Sequence, residues 1–207
     1  MAEIASESRV SAWGGGGSPY AVSSKKLGMW LFLMSDTLTF TAFLIAYSYV
    51  RLASADWPRP FGGTSIFMAS VMTFCLLSSS LTMVMAVAAA KRQQIRQTVI
   101  WMLATIAGGV IFIILHTNEW LTLIHEGVTP FGNPWGVPLF GASFFTLTGL
   151  HMTHVTGGVI YMAIVTYGFW KGKFEAEDVE VSGLYWHFVD LVWMFIFPMV
   201  YLLSNQM

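Results

Sequence analysis

Charge is the scarcest commodity in this 207-residue chain: only 10% of its residues are Asp, Glu, Lys or Arg, where a soluble domain carries about 25%. A water-soluble fold is excluded on that ground, since 56% of the residues are hydrophobic. Cysteine is nearly absent as well. The one cysteine, Cys75, lies in an apolar run and reads as a small core residue, so no disulfide framework, thiolate cluster or dithiolate copper centre can be assembled within the chain. The 10 basic and 11 acidic residues leave a net charge of -1, which supplies no cationic surface and excludes nucleic acid as a partner. No apolar stretch precedes Trp13, and Glu3 and Glu7 stand in its place, so the start of the chain reads as a retained tail and not as a cleaved signal.

What is present is hydrophobic length. A bilayer core needs about 20 apolar residues per helix, and five such runs fit here: 27–50, 65–90, 98–116, 138–170 and 184–203. The fold class this predicts is an all-α integral membrane protein, a bundle of five transmembrane helices. Residues 1–24 are polar with the run Gly14 to Gly17, a composition that buries too little to fold alone. Two regions are therefore expected, an arm at 1–24 and a membrane domain at 25–207. Asp56, Trp57, Pro58 and Pro60 end the first run, and Lys91, Arg92 and Arg96 end the second, because prolines break helices and cations are costly in hydrocarbon. Residues 117–137, rich in Gly, Pro and Trp, suit an interfacial loop anchored by Trp120 and Trp135.

Lys and Arg set the orientation. Arg9, Lys25, Lys26, Lys91, Arg92, Arg96, Lys171 and Lys173 fall on the N-terminal side, and only Arg51 and Arg59 on the other. The positive-inside rule then predicts a cytoplasmic N-terminus and, after an odd number of spans, a C-terminus outside.

Ionisable residues inside a span each cost about 3 kcal/mol on insertion scales, so each needs a reason. Asp36, flanked by Ser35, Thr37, Thr39 and Thr41, falls near mid-bilayer. It reads either as a hydrogen-bonded carboxyl locking helix packing, or as a proton-relay or partner-contact group. His151 and His154 lie three apart on the fourth run, and His187 and Asp190 three apart on the fifth. Antiparallel neighbours could bring these two faces together and satisfy both. His116 and Glu119 are expected at the outer interface, within reach of water and headgroups. Ser78, Ser79, Ser80, Gly108, Gly109, Gly157 and Gly158 permit close helix approach.

Three stretches, LGMWLFLMSDTLTF (27–40), FFTLTGLHMTHVTGGVIY (144–161) and GLYWHFVDLVWMFIF (183–197), together resemble subunit III of the haem-copper terminal oxidases. The resemblance covers residues 25–204 and is to the shorter, five-helix bacterial form. It implies a non-catalytic subunit of an aerobic respiratory oxidase, of cytochrome c or quinol type, in the bacterial cytoplasmic membrane. It implies partners in oxidase subunit I, subunit II and other respiratory subunits, which hold the haem and copper, with no redox centre or metal in this chain. It also implies bound phospholipid and support of proton uptake. Asp36 stands where many members have a buried glutamate, and an aspartate there resembles the quinol-oxidase branch. His116 stands where the family often has glutamine. The five histidines are too few for a catalytic subunit. His151, His154, His187, Asp190 and Glu119 are then expected to serve lipid binding or interhelix pairing. The rival readings are a nitric-oxide-reductase accessory subunit, a membrane cytochrome b anchor with haem between its histidines, and a small proton-coupled transporter, for which no inverted repeat is visible.

Overall fold

A computed structural model describes residues 23–203, and every extended element in them is helical. The helices are α1 (Ser24–Ala53), α2 (Gly63–Lys91), α3 (Ile95–His125), α4 (Pro138–Trp170) and α5 (Ala176–Phe197), the last running into a π-helical turn at Pro198–Leu202. All but α4 are long and apolar enough by composition to cross a membrane. The 33-residue α4 has the length, but its histidines, threonines and glycines lower its hydropathy. The arm expected at 1–24 lies outside the described residues except for Ser23 and Ser24, where Ser23 caps α1 by accepting from the Lys26 N–H.

The span expected at 138–170 coincides with α4, whose first residue is Pro138, a residue preorganised for a helix start. Two boundaries differ by more than three residues. Helix α3 continues nine residues past His116 to His125, so Trp120 is helical and the loop shrinks to 126–137. Helix α5 begins at Ala176, eight residues before the apolar run. A reciprocal capping box between Glu175 and Asp178 starts it, and Glu177 and Asp178 in the first turn favour the positive end of the helix dipole.

Packing places α5 against α1, α2 and α4, with α2 also on α3, and α3 on α4. The degree of burial follows. Helix α1 buries only Leu33, Phe40 and Tyr47, a seam with one residue every two turns, and leaves Leu31, Met34, Leu38 and Ile45 exposed. Helix α5 is the most buried, with ten buried residues from Val179 to Ile196 and an exposed stripe at Leu191, Met194 and Phe195. In hydrocarbon, apolar contact alone gives little preference for helix neighbours over lipid, so close backbone approach matters. Glycines provide it: a Cβ on Gly109 would stand 2.6 Å from the Trp186 ring, and one on Gly108 2.7 Å from Ser79 Cβ. Cys75, expected in the core, is half-buried and free.

One end of the bundle is tied by charge. Lys25 bonds Asp178 at 2.7 Å, while Lys26 and Lys91 reach the two oxygens of Glu180 at 3.1 and 3.3 Å. The starts of α1 and α5 and the end of α2 therefore meet on one side. Half-exposed pairs of this kind add about 0–1 kcal/mol each, so they set alignment more than stability.

The α3–α4 loop is held just as locally. Thr129 and Gly132 exchange backbone hydrogen bonds, and a Cβ on Gly141 would overlap the Thr129 carbonyl oxygen. Gly141→Ala is expected to cost about 1–3 kcal/mol by overpacking, read as a lower thermal midpoint in detergent. Gly28→Ala, where a Cβ meets nothing within 4 Å, is the control without overlap and should leave the midpoint unchanged or slightly raised, since Ala is the better helix former.

Candidate functional site

The membrane-depth polar residues fall into three groups, and rotation of the helices decides which meet. In the first, Asp36 on α1 faces His154 on α4, with Asp36 Oδ2 3.1 Å from His154 Nε2 and off the straight hydrogen-bond line. The other ring nitrogen, Nδ1, is 2.8 Å from the Leu150 carbonyl oxygen. A carbonyl only accepts, so Nδ1 carries hydrogen. Nε2 is thereby turned toward Oδ2 across the α1–α4 seam. Turned toward each other, the two side chains keep their polar atoms inside the bundle and away from lipid, where an ionisable group is costly.

The second group joins α5 to α2. Ser80 Oγ lies 2.6 Å from His187 Nδ1, with the Asp190 carboxyl near the same hydroxyl. Two indoles repeat the connection: Trp186 Nε1 donates to Ser79 Oγ at 3.0 Å, and Trp193 Nε1 to Thr73 Oγ1 at 2.9 Å. The pairing of the α4 histidines with the His187 and Asp190 face, expected from the sequence, is therefore replaced. His154 turns to α1, His187 turns to α2, and the α4–α5 seam is closed by Tyr185, whose hydroxyl donates to the His154 carbonyl at 2.9 Å. Trp186 and Tyr185 fill the space over Gly158, so no room remains there for two imidazoles to meet.

The third group lies toward the end of the bundle away from the Lys–Glu ties. His116 is fully buried, not interfacial. Its Nδ1 stands 3.3 Å from Glu119 Oε2, which also accepts a 2.6 Å hydrogen bond from the Tyr201 hydroxyl. The extra turns of α3 and the π-helical turn after Pro198 bring these residues together. Proline has no N–H to continue the α pattern, and the wider turn carries Tyr201 inward over Phe61, at 4.6 Å between ring centroids. His151 stacks on Trp193 at 5.1 Å and meets Phe112 edge-on at 5.7 Å. Sequence reasoning missed Thr73, Trp186, Trp193 and Tyr201, although the serines at 78–80 were noted for packing; indoles aligned with hydroxyls across two apolar helices are the signal that was there.

Among the described residues no three His, Cys, Asp or Glu side chains converge as a metal would require. What the arrangement does is pair polar side chains across helices and so lock helix rotation.

Removing one partner of a buried hydrogen bond costs about 1–3 kcal/mol for the group left unpaired. Thr73→Val keeps the shape but orphans the Trp193 indole N–H, and is expected to lower stability by that amount. Thr117→Val, an exposed hydroxyl bonded only to its own helix and Met152, should be close to neutral in the same detergent melt.

Known proteins match this chain over nearly its whole length. A chain of Alkalihalophilus pseudofirmus called cytochrome c oxidase subunit 3 is 33% identical over 184 residues, 87% of each chain. Quinol oxidase subunit 3 of Bacillus spizizenii is 32% identical over 86% of each chain. Cytochrome bo(3) ubiquinol oxidase subunit 3 of Pseudomonas aeruginosa is 33% identical over 86% of this chain and 84% of its own. The family model described as cytochrome c oxidase subunit III matches residues 3–205, and the chain belongs to that family.

Proposed function

We propose that the chain is the non-catalytic subunit III of a proton-pumping haem-copper oxidase, most simply a cytochrome c oxidase, in a bacterial cytoplasmic membrane. Its partners in this reading are subunits I and II, which carry the haem and copper, while this chain contributes packing, phospholipid contact and support of proton uptake. The observation that carries the reading is the Asp36–His154 pair, 3.1 Å apart on two helices in a chain of this family. Family membership displaces the cytochrome b anchor and the transporter as first readings. The bacterial relatives favour the bacterial membrane, and Lys25 and Lys26 at the start of α1 with Lys91 at the end of α2 favour that end as cytoplasmic.

A second reading, subunit III of a quinol oxidase, rests on the relatives of that name, which are as similar as the cytochrome c type. The aspartate at 36 favours it too. Electron-donor chemistry resides in other subunits, so mass spectrometry of the copurified complex separates the two: an electron-entry subunit with a dithiolate copper motif supports the cytochrome c type, and one without it the quinol type.

Support of proton uptake is expected to operate through the Asp36 carboxyl beside His154. An amide at position 36 can still accept or donate a hydrogen bond to His154 but cannot exchange a proton. The assembled oxidase with Asp36→Asn is expected to assemble normally yet lose activity sooner during turnover, with slower proton uptake. Lifetime and uptake equal to wild type would reject the role.

A further inference from the structure

The seam between α2 and α5 leaves a polar atom facing outward. Each rung of that seam joins a hydroxyl of α2 to a ring of α5: Thr73 to Trp193, Ser79 to Trp186 and Ser80 to His187. An indole has a single N–H, and both indoles use it there. An imidazole has two nitrogens, and in the half-buried His187 only Nδ1 meets Ser80. Its Nε2 has no hydrogen-bond partner among the described residues and is not shielded by them. Asp190, near the same serine, is buried and takes no part in the outward face. Seven residues separate His187 from Glu180, about 10 Å along a helix, so this nitrogen lies in the apolar part of α5, past the charged end of the bundle. A polar atom facing lipid at such a depth is costly, and a hydrogen bond to another helix is the usual remedy.

The surroundings of His187 are shaped to receive one. Its ring lines a cavity of about 290 Å³ whose other walls are Val84, Val87, Ala88, Gly183 and Leu184. Gly183 keeps this depression open, since a Cβ there would already press on Met83 and Val87 at 3.2 and 3.3 Å. At the charged end the cavity is bounded by Lys91 and Glu180, which pair with each other at 3.3 Å. The cavity belongs to a longer outward face. On α2, Leu77, Leu81 and Val84 follow one another at helical spacing and are exposed, and on α5 the exposed Leu191 and Met194 continue the line of Leu184 and His187. The cavity brings Val84 beside Leu184 and His187, so the two lines lie side by side. A lipid acyl chain would cover the apolar walls and leave Nε2 unanswered. A helix carrying a hydroxyl or a carboxamide at the matching turn answers both.

We propose that the α2–α5 groove is the docking face for a transmembrane helix of another oxidase subunit, which seats an apolar side chain in the cavity beside Gly183 and hydrogen-bonds His187 Nε2 through a hydroxyl or carboxamide. Such a group both donates and accepts, so it meets the imidazole in either tautomer. The inference rests on the subunit III reading and adds to it the face by which the chain is held. His187 then serves as a joint between three helices, with Ser80 of α2 at one nitrogen and the incoming helix at the other. Close approach is needed for so short a reach, and the small residues Gly183 and Ala88 permit it.

Crosslinking and subunit retention in the purified native complex test this. A photoreactive benzophenone side chain carried at Val84, in the cavity wall, is expected to capture a transmembrane segment of another oxidase subunit. The same side chain at Ile164, an exposed position of α4, is expected not to capture that segment. His187→Asn separates the two bonds of the ring, because the shorter amide still reaches Ser80 but not the place of Nε2. The full chain with His187→Asn is expected to melt in detergent as wild type does, while about fivefold more of it leaves the complex at a given detergent concentration, as for the loss of one hydrogen bond. Val84→Trp, which fills the cavity from its exposed wall, should release the chain as well, and Ile164→Trp should not. Should His187→Asn melt early, Val84→Trp decides. Capture of lipid alone or of a second copy of this chain at position 84, or retention unchanged by Val84→Trp, would overturn the proposal. Haem and copper that copurify while position 84 meets no helix would remove the interface and leave the subunit III reading standing; a helix captured from an assembly without haem or copper would remove both.

Discussion

The contact between Asp36 and His154, 3.1 Å apart on two helices, orients the least anchored helix of the bundle. Helix α1 touches its neighbours along a narrow line of Leu33, Phe40 and Tyr47, and apolar contact in lipid says little about rotation. Asp36 sits on that line, one turn from Leu33 and from Phe40. Turning α1 by a few tens of degrees would move a carboxyl from an imidazole to hydrocarbon, a change far costlier than any loss of side-chain packing. The contact thus fixes which face of α1 is inward, and by exclusion which face carries Leu31, Met34, Leu38 and Ile45 outward.

The same rule, that a polar group at membrane depth must find its partner within the bundle, shapes the other helices. Helix α5 is joined to α2 by two indole–hydroxyl bonds, at Ser79 and Thr73, and by Ser80 against His187. These contacts recur along one side of α5 and prescribe its rotation toward α2. Small residues let the backbones come close enough for short hydroxyls to reach, as Gly108 does beside Ser79. Where α5 ends, the π-helical turn brings Tyr201 back to Glu119, closing the bundle over the buried His116.

Much of the architecture was legible in the sequence because hydrophobic length and helix-stop residues are local properties. Helix α4 was bounded correctly by Pro138 and by the Lys171 that follows Trp170. Helix α3 was cut short because His116, Asn118 and Glu119 look like the edge of a membrane; that Tyr201, 82 residues from Glu119, would cover them is not encoded nearby. Helix α5 was started late because its acids mark the hydrocarbon boundary, whereas the helix itself continues beyond it under a capping box. The polar residues were found by their rarity, yet their partners were not. Spacing of three on α4 and on α5 shows that each pair shares a face, but not which neighbour that face meets. That depends on bulky Tyr185 and Trp186 occupying the α4–α5 seam.

The central claim is that Asp36 and His154 are energetically coupled across two helices. A double-mutant cycle measures this directly, with Asp36→Asn, His154→Gln and the double variant compared with wild type by denaturant unfolding of the detergent-solubilised protein. Coupling of about 0.5–3 kcal/mol is predicted, as for residues in one hydrogen-bonded network. Effects that add, with no coupling beyond error, would show that the two side chains do not hold each other and would contradict the account.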